Sequence, residues 1–288
     1  MTETSPTAQR REVGTLLRAH RERVGLTAAE VAARVGVSAA KLSRLERGLR
    51  GLQISDVRSL CTLYRLSDAE TRDLVAATRA SREPGWWSSF NDLGVDIPML
   101  FGLESVANKV EEFGALLVPG LLQTAEYAAA MMSRLHQEGG FAKSVIDERV
   151  EARMKRSSLL LPKMEKRFHF IIDEAALRRC VGSAEVMDRQ VRAIADCGAA
   201  DNVEIQVIPF TTGAHPGVDG SFAVRVFDEG VQRNAVFVEG LAGSLLIDQG
   251  AQVAAYRRAF EELSELALEE KASLRMLRLI AGDWRKVI

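Results

Sequence analysis

Between Gly25 and Gly48 the chain reads GLTAAEVAARVGVSAAKLSRLERG, and this stretch leaves the fold little freedom. Thr27 with Glu30 three residues later is a capping box, so a helix starts there. Gly36 ends that helix as a turn residue, Val37 is apolar enough to plug the core beneath, and Ser38 caps a second helix at once. Gly48 closes it. Val31, Val35, Leu42 and Leu45 form the inward stripes of the pair, and the alanines around Val31 permit close helix approach. Two short helices joined by so tight a turn form a helix-turn-helix unit.

The flanking sequence supplies the rest of such a domain. Val13, Leu16, Leu17 and Val24 recur at helical spacing, with Arg18, Arg21 and Arg23 between them, and Gly25 ends the run. Ile54, Val57, Leu60, Cys61 and Leu63 give a fourth stripe, and Ser67 opens a fifth helix with Leu74 and Val75 inward. An N-terminal arm, residues 1–9, is expected to be disordered, and residues 10–80 to be the helical domain. Charge separates this head from the rest of the chain. Residues 1–80 carry 14 Lys/Arg against 9 Asp/Glu, a balance of +5; the other 208 carry 24 against 30, a balance of −6, recovering the net −1. Only the head is suited to a polyanion.

Gly25, Thr27, Glu30, Ala32, Gly36, Ser38, Ser43, Glu46 and Gly48 together resemble the Xre/Cro-repressor family. The resemblance implies that the helix 38–47 enters the major groove of double-stranded DNA with its N-terminal residues toward the bases. Thr27 and Ser38 would offer helix N-termini to phosphate, and Ser43 a further phosphate contact. Arg44 would take guanine, and Lys41 base or phosphate, with Arg47 beside them. Glu46 would pair with Arg21 as an internal brace. Ala39 and Ala40 stand where relatives carry readers, and Ala28 where glutamine is common. A methyl group can pack on thymine and do little else. Direct readout is therefore thin, which leaves room for an alternative in which DNA binding is weak or conditional on a partner.

Beyond residue 80 the composition changes. Pro84-Gly85 breaks helix, and Trp86, Trp87 and Phe90 crowd three aromatics together. Residues 81–100 read as a linker docked by its tryptophans, with a stacking platform as the alternative use of Trp86 and Trp87. A helical part is expected over about 101–163, including a helix through Leu103, Val106, Ala107, Val110 and Phe113, and another from Leu121 to Met132. An α+β part is expected over about 164–248, with strands at 168–172, 203–209, 221–227 and 234–239, the last two as a hairpin. One long helix covers about 249–280. The fold class is mainly α with a smaller α+β part: an all-α head, then helices with a small mixed sheet.

The segments VPGLLQTAEY (118–127), Glu151-Ala152-Arg153, IDEAALRR (172–179), Ile208-Pro209, GAHP (213–216) and Gly220-Ser221-Phe222 resemble the effector domain of WhiJ-type actinomycete regulators. That resemblance implies a body that binds a ligand, a small acidic protein encoded nearby, or both, and a homodimer. Gln123, Tyr127, Asp173, Glu174 and His215 are the candidate contacts, although Asp173 also reads as a helix cap and His215 as a loop histidine with structural hydrogen bonds.

Other functions find no support in the motifs. The histidines are His20, His136, His169 and His215, none in an HExxH pattern, and no GxxxxGK[ST] or GxGxxG occurs. No enzyme, cofactor or metal is expected. Cys61, Cys180 and Cys197 are an odd number and far apart, as befits reduced thiols in a cytoplasmic protein. The apolar run from Ala115 to Met132 is interrupted by Pro119, Gly120, Gln123 and Glu126, so no membrane span is expected.

Overall fold

The computed structural model describes residues 5–48, 51–90, 97–135, 142–160, 166–228, 233–240 and 243–288. They divide into two compact units. One contains the head with residues 94–106, and the other contains residues 107–227 and 233–288.

In the first unit α1 (Pro6–Arg23) begins earlier than expected. Ser5 accepts from the Ala8 N–H and Pro6 stands at the first helical position, so residues 5–9 are capped helix, with Pro6, Thr7 and Ala8 buried. Residues 1–4 lie outside the described set. Next come α2 (Ala28–Val35), α3 (Ala39–Glu46), α4 (Ile54–Leu63) and α5 (Asp68–Ala80). Their inward stripes meet in one core: Val13 and Leu17 from α1, Val31 from α2, Leu42 and Leu45 from α3, Val57, Leu60 and Leu74 beyond. Gly36 takes φ +69°, a left-handed conformation costly for any other residue, and so turns α2 into α3.

Residues 86–89 form a 3-10 turn, and α6 (Ile97–Val106) starts inside the stretch expected to be linker. Trp86 stacks on Phe101 at 5.0 Å and meets Trp87 edge to face at 5.8 Å, so the tryptophans anchor α6. The same helix packs on α1. Ser5 Oγ donates to the Gly102 carbonyl at 2.6 Å, and a Cβ at Gly102 would lie 2.3 Å from Thr7 Cβ. Only glycine permits that approach.

The second unit is built on a six-stranded sheet in the order β3-β2-β1-β4-β5-β6. Its strands are β1 (Lys109–Gly114), β2 (Arg167–Asp173), β3 (Val203–Ile208), β4 (Phe222–Val226), β5 (Ala235–Gly240) and β6 (Gly243–Ile247). β1, β2 and β3 run parallel; β4, β5 and β6 add antiparallel. Parallel neighbours need crossovers, and α7 (Ala125–Leu135) with α8 (Lys143–Ser157) provides the first. α9 (Glu174–Arg178) and α10 (Ala184–Cys197) provide the second.

Beyond α6 the structure corrects three further expectations. Residues 109–114 are a central strand and not helix: Val110, Glu111, Phe113 and Gly114 are buried in pairs because both faces of β1 are covered, and period-2 alternation is lost. The helix expected from Leu121 starts at Ala125, after a 3-10 turn at Gly120–Leu122. The single C-terminal helix is two, α11 (Gly250–Leu266) and α12 (Glu270–Arg285). Between them the Leu268 N–H donates to the Val207 carbonyl at 2.9 Å, so the linker covers the edge of β3. The strands expected at 221–227 and 234–239 do pair antiparallel as β4 and β5.

α11 lies over one face of the sheet, where Val253, Phe260 and Leu263 pack with Phe113, Ile171, Phe222 and Val236. Beneath it His169 of β2 is buried edge to face on Phe260, at 4.9 Å. Its Nε2 lies 2.7 Å from Gln206 Oε1, which also accepts from Ser264 Oγ at 2.7 Å. Burial pushes the His169 pKa down, against the opposing pull of Glu204. The unfolded chain therefore takes up this proton first, and the contribution to stability present above about pH 6.5 is lost as pH falls. The second unit should unfold at lower urea at about pH 5.5 than at about pH 7.5, and His169→Gln should reduce the difference.

Candidate nucleic-acid interface

The segment 27–48 places its polar residues by two caps of different kinds. At α2 the Thr27 side chain accepts from the Glu30 N–H at 3.2 Å, and Glu30 Oε2 takes the Thr27 N–H at 2.8 Å. The carboxylate thus occupies a donor that a phosphate at this helix end would use. At α3 the Ser38 side chain accepts from the Lys41 N–H at 3.1 Å, and the third position of that helix carries a cation instead of a carboxylate. The N-terminus of α3 is electrostatically the more open of the two to an anion.

Along α3, Ser38, Ala39, Ala40 and Arg44 are exposed, whereas Lys41, Ser43 and Arg47 are half-buried. Arg44 Nε donates back to the Ala40 carbonyl at 3.3 Å, and Arg47 Nε to the Ser43 carbonyl at 3.4 Å. Lys41 Nζ lies 3.9 Å from Asp56 of α4, a contact that no helical spacing rule predicts. With both partners about one-third exposed, the pair is weak enough to open for a phosphate.

The back of α3 is fixed by charge. Arg21 meets Glu46 in a bidentate pair, Nε to Oε1 at 2.7 Å and Nη2 to Oε2 at 3.0 Å, and Nη1 donates to the Leu26 carbonyl at 2.8 Å. Glu46 is 6 % exposed and Arg21 9 %. The hydrogen bonds to Glu46 hold the Arg21 pKa above its ordinary value. Tyr64, 1 % exposed, is raised by burial with the Glu46 charge adding to it. One guanidinium thereby ties α1, the entry to α2 and the end of α3 together.

The candidate residues of the second unit serve the fold. Tyr127 is fully buried, and its hydroxyl accepts from the Val118 N–H at 3.2 Å. Gln123 donates to the Val118 carbonyl at 2.7 Å and accepts from Arg153 of α8. Gln190 of α10, which sequence reasoning missed, accepts from the Thr124 N–H at 2.7 Å and donates to the Leu122 carbonyl at 2.8 Å. The PGLLQT turn is thus held by side chains from three helices, satisfying backbone groups that have no ladder.

Asp173 caps α9 through the Ala175 N–H at 2.7 Å and accepts from His215 at 3.0 Å. Gly217 N–H donates to His215 Nδ1 at 3.2 Å, so the histidine proton sits on Nε2, toward Asp173. The ring also meets Phe113 edge to face at 5.8 Å. Glu174 accepts from Arg178 at 2.6 Å and from the Phe210 N–H at 2.8 Å. Of the second-unit and linker candidates, Asp173 and His215 are in contact with each other, while Trp86, Trp87, Gln123 and Tyr127 are engaged elsewhere. Among the described residues no group of His, Cys, Asp or Glu could hold a metal ion, and no helix is long and apolar enough to cross a membrane.

A family model described as a helix-turn-helix domain matches residues 12–74, and one described as a domain of unknown function (DUF5753) matches residues 98–279. No curated protein and no solved structure matches the chain.

Glu46→Ala leaves the buried Arg21 charge without its carboxylate. It should destabilise the first unit by about 3–5 kcal/mol, read from denaturant unfolding. Joint replacement, Arg21→Met with Glu46→Leu, should recover most of that loss.

Proposed function

Because the chain belongs to the DUF5753 family and carries a helix-turn-helix domain ahead of the shared domain, we propose that it is a transcriptional regulator of the Xre class and of WhiJ type. In this reading α3 enters the major groove of double-stranded DNA. Ser38 and the α3 N-terminus meet phosphate, Ser43 and Arg47 flank the backbone, and Arg44 reads guanine. The second unit dimerises the chain and senses a ligand or a small acidic protein. In this reading its role is binding and not catalysis, and Asp173, Glu174 and His215 serve as caps and loop contacts.

The observation that carries this reading is the asymmetry of α3. Its back is fixed by the buried Arg21–Glu46 pair, and its front presents Ala39, Ala40 and Arg44 to solvent. A rigid helix with an exposed N-terminal half is what groove insertion requires.

The exposed methyl groups of Ala39 and Ala40 favour a second reading, in which DNA binding is weak until a partner joins. Selection of the purified chain on randomised duplex DNA separates the two. A self-sufficient dimer should enrich an inverted repeat with half-sites roughly 34 Å apart. Absence of enrichment that returns with a co-purified small acidic protein would favour the second. Arg44→Ala should reduce base discrimination by about 1–3 kcal/mol at one position of each half-site, and an unchanged site preference would remove Arg44 as a reader.

A further inference from the structure

The second unit contains an open cleft of about 300 Å³ between the segment 216–222, β5 and α11. Its floor is apolar: Phe222, 5 % exposed, meets Tyr256 edge to face at 5.1 Å, and Ala259 lies beside them. Its other walls carry Asp219 and Glu239, and no lysine or arginine lines it. Among the described residues neither carboxylate has an ion-pair or hydrogen-bond partner, and neither has the Tyr256 hydroxyl. Glu174 and Asp188 of the same unit, by contrast, each hold an arginine.

The cleft is walled by fixed backbone. His215 pins the start of the segment to Asp173, the Gly217 N–H closes on the same ring, and Ser221 Oγ accepts from the Ala115 N–H at 2.9 Å. A Cβ at Gly217 would lie 2.2 Å from the Phe113 ring, which holds that loop close to the sheet. A wall already ordered costs little to order on binding.

Two unpaired carboxylates above an aromatic and aliphatic floor select by charge. An anion is repelled, and a neutral apolar molecule gains only the floor. A cation with an apolar body gains the floor, the carboxylates and the aromatic ring of Tyr256. The volume is at the small end of ligand pockets. We propose that this cleft binds an organic ammonium ion carried on a small apolar body. The proposal gives a chemical class to the ligand-sensing role proposed above and rests on it.

The test is calorimetric titration of the full chain with phenethylamine, with 2-phenylethanol as its neutral counterpart and 3-phenylpropanoate as an anion. Saturable binding of phenethylamine, at least about tenfold tighter than of the alcohol, is expected, with none of the anion. Asp219→Asn and Glu239→Gln should each weaken it by about fivefold. Both side chains are exposed and unpaired, so the fold should survive, and an unchanged melting temperature checks this. Tyr256→Leu should weaken binding and Tyr256→Phe preserve it. Equal affinity for the alcohol, indifference to both carboxylate substitutions, or no binding up to about 10 mM overturns the site. A parallel measurement of DNA affinity with saturating phenethylamine separates the two ideas. Cation-selective binding with unchanged DNA affinity keeps the site and removes its sensing role. Altered DNA affinity without that selectivity removes the site.

Discussion

A carboxylate as buried as Glu46 tolerates few arrangements of its neighbours. It must be met by a cation and by enough donors to replace water, and Arg21 supplies both from a different helix. The same guanidinium reaches the Leu26 carbonyl, so the residues before α2 are bound as well. Hydrophobic contact alone would let α3 slide over the core by fractions of a turn. A planar two-point pair fixes both its rotation and its depth. For the role proposed for α3 this matters more than extra stability, since misplacement at a base edge is a loss of readout.

The second unit obeys the same rule with neutral groups. The PGLLQT turn is irregular backbone taken out of water, and each of its exposed polar atoms needs an answer from a side chain. Gln190, Gln123 and Tyr127 provide it. Residues that look like a binding signature in sequence are here the terms on which a loop can be buried at all. In the cleft beside α11 Asp219 and Glu239 have no partner among the described residues, and neither they nor Tyr256 belong to the segments that carry the family resemblance.

How much of this was legible in the sequence depended on where the constraint lay. Caps and turn glycines act over three or four residues, so Thr27, Glu30, Gly36 and Ser38 disclosed their helices directly. The pairing of Arg21 with Glu46 spans 25 positions and came from family resemblance, not from spacing. β1 misled because Val110 and Phe113 stand three apart, which suits a helix, and because a strand covered on both faces shows no alternation. The break between α11 and α12 has no glycine or proline to announce it. It exists because Leu268 pairs with Val207, a contact made only once the sheet is assembled. Likewise β6 was missed, a short edge strand of modest burial. The cleft was invisible for the same reason: Asp219, Glu239 and Tyr256 belong to three separate segments.

The contact between Gly102 and Thr7 bears on how the chain can be divided. The family model for the second domain begins at residue 98, yet the helix it enters first, α6, packs in the unit of the head. A fragment ended near residue 90 would leave Ser5 without its acceptor, Thr7 facing water and Trp86 without its stacking partner. A feeble grip on DNA by such a fragment would reflect where the scissors fell. The smallest complete head carries its sixth helix with it.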